Sequence, residues 1–246
     1  MRVAVVTGAS SGIGAELVRR LRGRGYRVVG LSRGAAPDAD EHEQCDVSDR
    51  AAVDAVAARV LARHPQLDLL VCNAGIAARG DYLDSEPEIV EAVVDTNYLG
   101  SVWTLRAFLP GLAAGSKVVV VASVAGTVAA GPYSASKHAQ LAFARSVAIE
   151  LAPRGVHLLA VLPGYVETPG FPQRERMGFP WRLLVVDPPF VAERVLGELD
   201  RGRREIVVPR WYRPAAWLQA LLPGLLMRRR AVHAPEPTRS GSRART

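Results

Sequence analysis

Residues 2–14 read RVAVVTGASSGIG. The first half, RVAVVT (2–7), is a continuous apolar and β-branched run, the pattern of a strand buried on both faces. The second half, TGASSGIG (7–14), interrupts that run with three glycines and leads into a helical pattern, GAELVRRLRGRG (14–25). A strand that turns through glycines into a helix leaves unpaired backbone N–H groups at the helix start, where the helix dipole also favours an anion. Gly8 permits a tight turn, Gly12 lets backbone approach a diphosphate, and Gly14 allows close packing of helix on strand. Ser10, Ser11 and Ile13 share that loop.

The alternation continues outward. Strands are expected at 27–32 (RVVGLS), 67–72 (LDLLVC), 117–123 (KVVVVAS), 156–164 (VHLLAVLPG) and 204–209 (REIVVP). Helices are expected at 51–64, over the long stretch 86–112, at 134–155 where Pro153 and Gly155 stop it, and at 189–202. Apolar strands alternating with helices imply a parallel sheet covered on both faces. The fold class is therefore α/β, a single doubly wound, Rossmann-type sheet. No internal repeat and no linker divides residues 1–208. An apolar and aromatic extension follows at 209–230, then a polar tail at 231–246 with the composition of a disordered segment.

Apolar residues make up 49% of the 246, enough for a large core. Cys45 and Cys72 are too few for a disulfide framework and match no metal spacing, so buried thiols in a reducing compartment are expected. The N-terminus does not read as a signal peptide, and no apolar run reaches spanning length. The expectation is a cytoplasmic protein. The net charge is +7, but residues 201–246 carry eleven arginines against Glu205 and Glu236, so residues 1–200 balance to −2. A basic tail can bind nucleic acid or an anionic membrane surface, though a merely solvated tail accounts for it as well. Nucleic acid is not an expected partner.

At the end of the second strand, GLSRG places Ser32 and Arg33 where an acidic residue would hold an adenosine ribose and select NAD. Arg33 suits a 2′-phosphate instead. Such a charge-assisted hydrogen bond contributes ~1.5–3 kcal/mol, roughly 10- to 150-fold in affinity. NADP(H) is therefore favoured over NAD(H). In CDVSD (45–49), Asp46 beside Val47 can accept from an adenine amino group, and is equally suited to a helix N-terminus. In CNAG (72–75), Asn73, Ala74 and Gly75 form a small-residue turn that can lie against adenosine or simply end a strand. LPGYVETP (162–169) turns sharply at Pro163 and Gly164 and continues through Val166 to Thr168, which is placed to bond a nicotinamide carboxamide.

The chain has only two lysines, Lys117 and Lys137; the other cations are arginines. Lys137 stands four residues after Tyr133 in GPYSASKHAQ (131–140), so the two share one helix face. A phenol near its ordinary pKa of ~10 is a poor base at neutral pH, and a nearby ammonium stabilises the phenolate. Tyr133 can then exchange a proton with a substrate oxygen while hydride moves to or from nicotinamide. A compact ammonium on a flexible stem can also bond ribose hydroxyls, which a bulky, permanently charged guanidinium does less well. Ser123, at the end of the preceding strand, can bond the substrate oxygen. Asn97, a poor helix former inside a long helical stretch, marks a kink or binds a water that continues the proton path from Lys137.

With these residues in place the chain resembles the short-chain dehydrogenase/reductase family, through TGASSGIG, DV, NAG, the Asn of DTNYLG, the Ser of VASVAG, YSASK and PGYVET, over residues 3–170. The resemblance implies that Asn97, Ser123, Tyr133 and Lys137 are the four catalytic positions. It also implies a sheet of about seven strands and assembly as a homodimer or homotetramer through long helices, to which the apolar face of HAQLAFARSVAIEL is suited. Ser123 and Tyr133 are ten residues apart, closer than the family's usual spacing. That shortening either widens the pocket or displaces Ser123.

The substrate loop falls at 165–189, where Phe171, Met177, Phe179 and Trp181 suggest an apolar substrate or a cover over the core. Beyond it, Trp211, Tyr212, Trp217 and Arg228–Arg230 read as a lid on the pocket, a subunit contact or a peripheral membrane contact through 211–230. The expected function is an NADP(H)-dependent oxidoreductase interconverting a carbonyl and an alcohol on an apolar small molecule. The alternative is a non-catalytic NADP(H)-binding sensor or scaffold.

Overall fold

The run that opens the chain forms β1 (Arg2–Thr7), and every residue of it after Arg2 is buried. The computed structural model describes residues 1–78, 80–169, 174–175, 177–214 and 218. Six more strands join β1: β2 (Tyr26–Ser32), β3 (Glu41–Gln44), β4 (Leu67–Cys72), β5 (Leu112–Val121), β6 (His157–Pro163) and β7 (Glu205–Val208). They make one sheet of order β3-β2-β1-β4-β5-β6-β7, with every neighbouring pair parallel.

Strand side chains alternate between faces, and each face of this sheet has its own core. Val3, Val5, Val29, Leu31, Val118 and Val120 face one side, packed with Val53 and Val56 of α2 (Arg50–Arg63), Phe108 of α4 (Gly100–Phe108) and Leu141 of α5 (Gly131–Leu151). Ala4, Val6, Val28, Val119 and Val121 face the other, with Leu17 and Leu21 of α1 (Gly12–Gly23) and Val191 and Val195 of α6 (Pro188–Asp200). The doubly wound α/β sheet expected from the alternation is the fold observed. Its strand order reverses direction between β1 and β4, and a ligand crevice opens outside the strand ends at such a switch point.

Three local features differ from the sequence reading. EHEQ (41–44) forms β3, although it has no apolar residue. It is an edge strand held by charge: Glu41 pairs with Arg27, Arg63 and His64, and Glu43 with Arg59 and Arg63. Second, the expected helix over 86–112 is broken. α3 (Pro87–Val93) passes into a π-helical turn, Val94–Leu99, before α4, and a 3₁₀ turn covers Leu109–Gly111. Third, β5 ends at Val121, so Ser123 lies beyond it as the N-cap of a 3₁₀ turn, Val124–Thr127.

Candidate active site

Thr7, the last residue of β1, ties the switch point together. Its buried hydroxyl donates to the Val71 carbonyl at 3.2 Å and accepts from the N–H groups of Asn73 and Ala74 at 2.9 and 3.1 Å. The Asn73 amide returns to the Thr7 carbonyl at 3.0 Å. The ends of β1 and β4 are therefore fixed side by side. No local signal in the sequence marks Thr7 for this role, because these partners are more than 60 residues away.

The glycine loop is built against this junction. Gly8 has φ +66°, and a Cβ there would lie 2.9 Å from both the Ala74 Cα and the Asn73 side chain. A Cβ on Gly14 would collide with the Gly8 carbonyl, so only glycine lets α1 sit this close to β1. Gly12, at φ +56°, faces Thr168 across the loop, with 3.0 Å from a built Cβ to the Thr168 methyl. Across α4, Val47 packs so near Gly100 that a Cβ there would come within 2.7 Å.

A cavity of about 950 Å³ runs from this loop across the switch point. Gly8, Ser10, Ser11, Gly12 and Ile13 line one end, with Ser32, Arg33, Asp46 and Val47. Asn73, Ala74 and Gly75 line the middle; Ser123, Tyr133, Lys137, Pro163, Gly164, Val166 and Thr168 line the far end. Of the catalytic and nucleotide-binding residues expected from the sequence, Gly14 and Asn97 are not on its wall. Gly14 supports the loop from behind. Asn97 is wholly buried, with its side chain engaged by protein: it accepts from Ile76 N–H at 2.8 Å and donates to the Ile76 carbonyl and Ser136 at 3.0 Å each. It thereby fixes the strand-end backbone just after Gly75.

At the adenosine end, Ser32 donates to the Gly34 carbonyl at 2.7 Å, and Arg33 is 70% exposed, 3.9 Å from Asp46. Burial pushes the Asp46 carboxyl up, but hydrogen bonds from Ser48 and the charge of Arg33 outweigh it and hold it below its usual value.

At the other end, α5 begins at Gly131, early enough to carry both Tyr133 and Lys137 on its first turns. The short connection before it is pinned to the helix. Ser134 donates to the carbonyls of Ala125 and Val128, and Gly126 packs so closely on the Lys137 carbonyl that a Cβ would come within 2.6 Å. Ser123 stays on the cavity wall and is hydrogen-bonded to the Tyr133 side chain. Across this short connection Ser123 remains in contact with Tyr133.

Burial pushes the Tyr133 phenol above its ordinary value, opposed by the Ser123 hydrogen bond. Lys137, with its Nζ 5.9 Å from the phenol ring centre, donates to the Val121 carbonyl at 3.2 Å and to Gln140 at 2.7 Å. Burial lowers its ammonium to about 7. The expected depression of the phenol by the lysine does not appear among the influences on Tyr133.

The segment after β6 closes on itself: Val166 bridges Val186, and the N–H groups of Glu167 and Val186 bond the carbonyls of Val186 and Tyr165. Met177 and Phe179, expected to face an apolar substrate or to cover the core, are absent from the cavity wall, and Phe179 is 76% exposed. Phe171 and the Trp181 side chain lie outside the described residues. Tyr212, expected in a lid on the pocket, a subunit contact or a membrane contact, lines the cavity. Its ring sits on Gly164, edge-on to Tyr165 at 6.1 Å, and its hydroxyl donates to the Leu184 carbonyl at 3.2 Å. Trp211 is exposed; Trp217, Arg228–Arg230 and the tail 231–246 lie outside the described residues. Cys45 and Cys72 are buried free thiols, pushed up to about 11 and about 12 by burial. Among the described residues no helix is long and apolar enough to cross a membrane, and no cluster suits a metal.

Residues 2–177 match the family model described as short chain dehydrogenase. The chain is 39% identical over 201 residues to the monensin polyketide synthase putative ketoacyl reductase of Streptomyces virginiae, covering 72% of this chain and 75% of that one. The alcohol dehydrogenase of Thermococcus sibiricus, solved with 5-hydroxy-NADP, superposes with a TM-score of 0.73 at 26% identity, over 85% of this chain and 96% of that one. A short-chain dehydrogenase/reductase of Burkholderia phymatum, solved with NAD, gives 0.80 at 24% identity over 92% and 95% of the two chains.

Proposed function

Because this chain belongs to the short-chain dehydrogenase/reductase family, we propose that it is an NADP(H)-dependent oxidoreductase interconverting a carbonyl and an alcohol on an apolar small molecule. The observation that carries this reading is the single cavity that joins the glycine loop to Tyr133, Lys137 and Ser123. Its volume suits a dinucleotide with a small substrate, and the loop glycines leave a cradle that Cβ atoms would fill. The nucleotide supplies or accepts hydride.

The protein's own groups do the rest. Backbone N–H groups from Ser10 to Ile13, at the start of α1, hold the diphosphate. Arg33 takes the 2′-phosphate, and Ser32 borders the same position; Asp46 and Val47 bound the adenine, and Asn73 to Gly75 the adenosine. Pro163, Gly164, Val166 and Thr168 orient the nicotinamide. Tyr133 gives its phenolic proton to a carbonyl oxygen, or takes it from an alcohol, while Ser123 holds that oxygen. Lys137 uses a free N–H on a ribose hydroxyl and stabilises the phenolate as it forms. Asn97 fixes the backbone beside Gly75.

Arg33 is the ground for NADP(H), since solved relatives carry both nucleotides. Val128, Ala130, Tyr165 and Tyr212 give the substrate end an apolar character. The exposed Ile149 and half-buried Phe143 and Val147 of α5 offer a homo-oligomer contact. Cytoplasmic location belongs to the same reading.

Turnover of a panel of ketones and aldehydes with NADPH tests it. Tyr133→Phe should abolish turnover and still bind NADPH; undiminished turnover in that variant would remove the mechanism.

A further inference from the structure

Gln140 is wholly buried on α5, one turn beyond Lys137. An amide there is costly unless its polar atoms are paired. Its oxygen accepts from Lys137 Nζ at 2.7 Å, and its nitrogen donates to Ser101 Oγ at 2.7 Å. Ser101, buried on α4, donates its one hydroxyl proton to the Asn97 carbonyl at 3.1 Å. That proton is spent, so Ser101 can only accept from Gln140, and the amide oxygen must face the lysine.

We propose that Gln140 is a positioning residue for Lys137: a neutral acceptor, braced through Ser101 on the π-helical turn, that holds the ammonium at the cavity wall. The inference rests on reading Lys137 as the catalytic lysine. Two of the three ammonium N–H groups go to Gln140 and the Val121 carbonyl, which leaves one for a nucleotide hydroxyl. A carboxylate at this position would bind the ammonium as an ion pair and draw it from the cavity. An apolar residue would leave burial unopposed and strip the proton near neutral pH. An amide avoids both.

The groups around Nζ are few. Tyr133 presents its ring from α5, and the Asn97 amide oxygen lies beside Gly75, as Nζ does. Cys72 on β4 reaches the Ser101 carbonyl at 3.9 Å. Among these described residues Tyr133 and Cys72 are titratable, and burial pushes both up, so both are neutral near pH 7. Among the described residues no carboxylate contributes to the lowering of Lys137, which burial drives.

The experiment uses the full chain labelled with ¹³Cε-lysine. Its two lysines give two resonances, and Lys117 is the internal control. Gln140→Leu, and the nearly isosteric Gln140→Met, should lower the Lys137 midpoint by about one pH unit, a tenfold loss of proton affinity. Gln140→Glu should raise it by at least as much. Ser101→Ala should lower it by less, while Lys117 stays fixed. An unchanged Lys137 midpoint in both Gln140→Met and Gln140→Glu would overturn the proposal. The readout needs neither nucleotide nor substrate, so it stands or falls apart from the oxidoreductase reading.

Discussion

The Tyr133 phenol and the Ser123 hydroxyl are hydrogen-bonded across a connection of only nine intervening residues. That bond is the one influence lowering a phenol which burial otherwise raises. Ser123→Ala should therefore cut turnover and also raise the phenol further. The rising limb of alcohol oxidation against pH should move to higher pH, because ionised Tyr133 is the base in that direction. A reduced rate with an unmoved limb would mean that Ser123 acts on the substrate alone.

Arg33→Ala should weaken NADPH binding by roughly 10- to 150-fold and leave NADH binding as it was. Fluorescence titration of both nucleotides checks this. Equal losses for both would assign Arg33 to general charge and not to a 2′-phosphate.

Gly164 and Tyr212 occupy adjoining space, and a Cβ on Gly164 would collide with the tyrosine ring. Gly164→Ala should raise substrate KM by displacing the ring, and Tyr212→Ala should broaden the substrates accepted. In the double variant the new methyl takes space the ring has left, so the two effects should not add. Additive effects would place the damage of Gly164→Ala in the backbone.

Lys137 also links stability to pH. Its ammonium is lowered from 10.5 to about 7 by burial, so between those values the unfolded chain binds more protons than the folded one. Stability should rise with pH across that window. Relative to Lys137→Met, the urea midpoint of the unaltered chain should climb from about pH 7 to about pH 10. A constant gap between the two would show Lys137 charged throughout.

Most of the sheet was legible because its strands are apolar runs buried on both faces. EHEQ (41–44) was not, since ion pairs with α2 and β2 stabilise that edge where burial does not. The π-helical turn had a signal in Asn97, whose mid-helix position the sequence marks as anomalous. The residues gathered by the cavity come mostly from strand ends, where glycine, asparagine and proline follow apolar runs, so their spacing could be read. Thr7, Tyr212 and Gln140 could not be read this way. Thr7 and Tyr212 acquire their roles from partners 28 to 67 residues away, and Gln140, three residues from Lys137, is oriented by Ser101, 39 residues away, so nothing local distinguishes it from a polar residue on a helix surface.

The most direct single measurement is fluorescence titration of the purified protein with NADPH and, separately, NADH. Tight NADPH binding is expected, with NADH at least about tenfold weaker. Tighter NADH binding would remove the role given to Arg33 and keep the oxidoreductase. Binding of neither nucleotide would contradict the central claim.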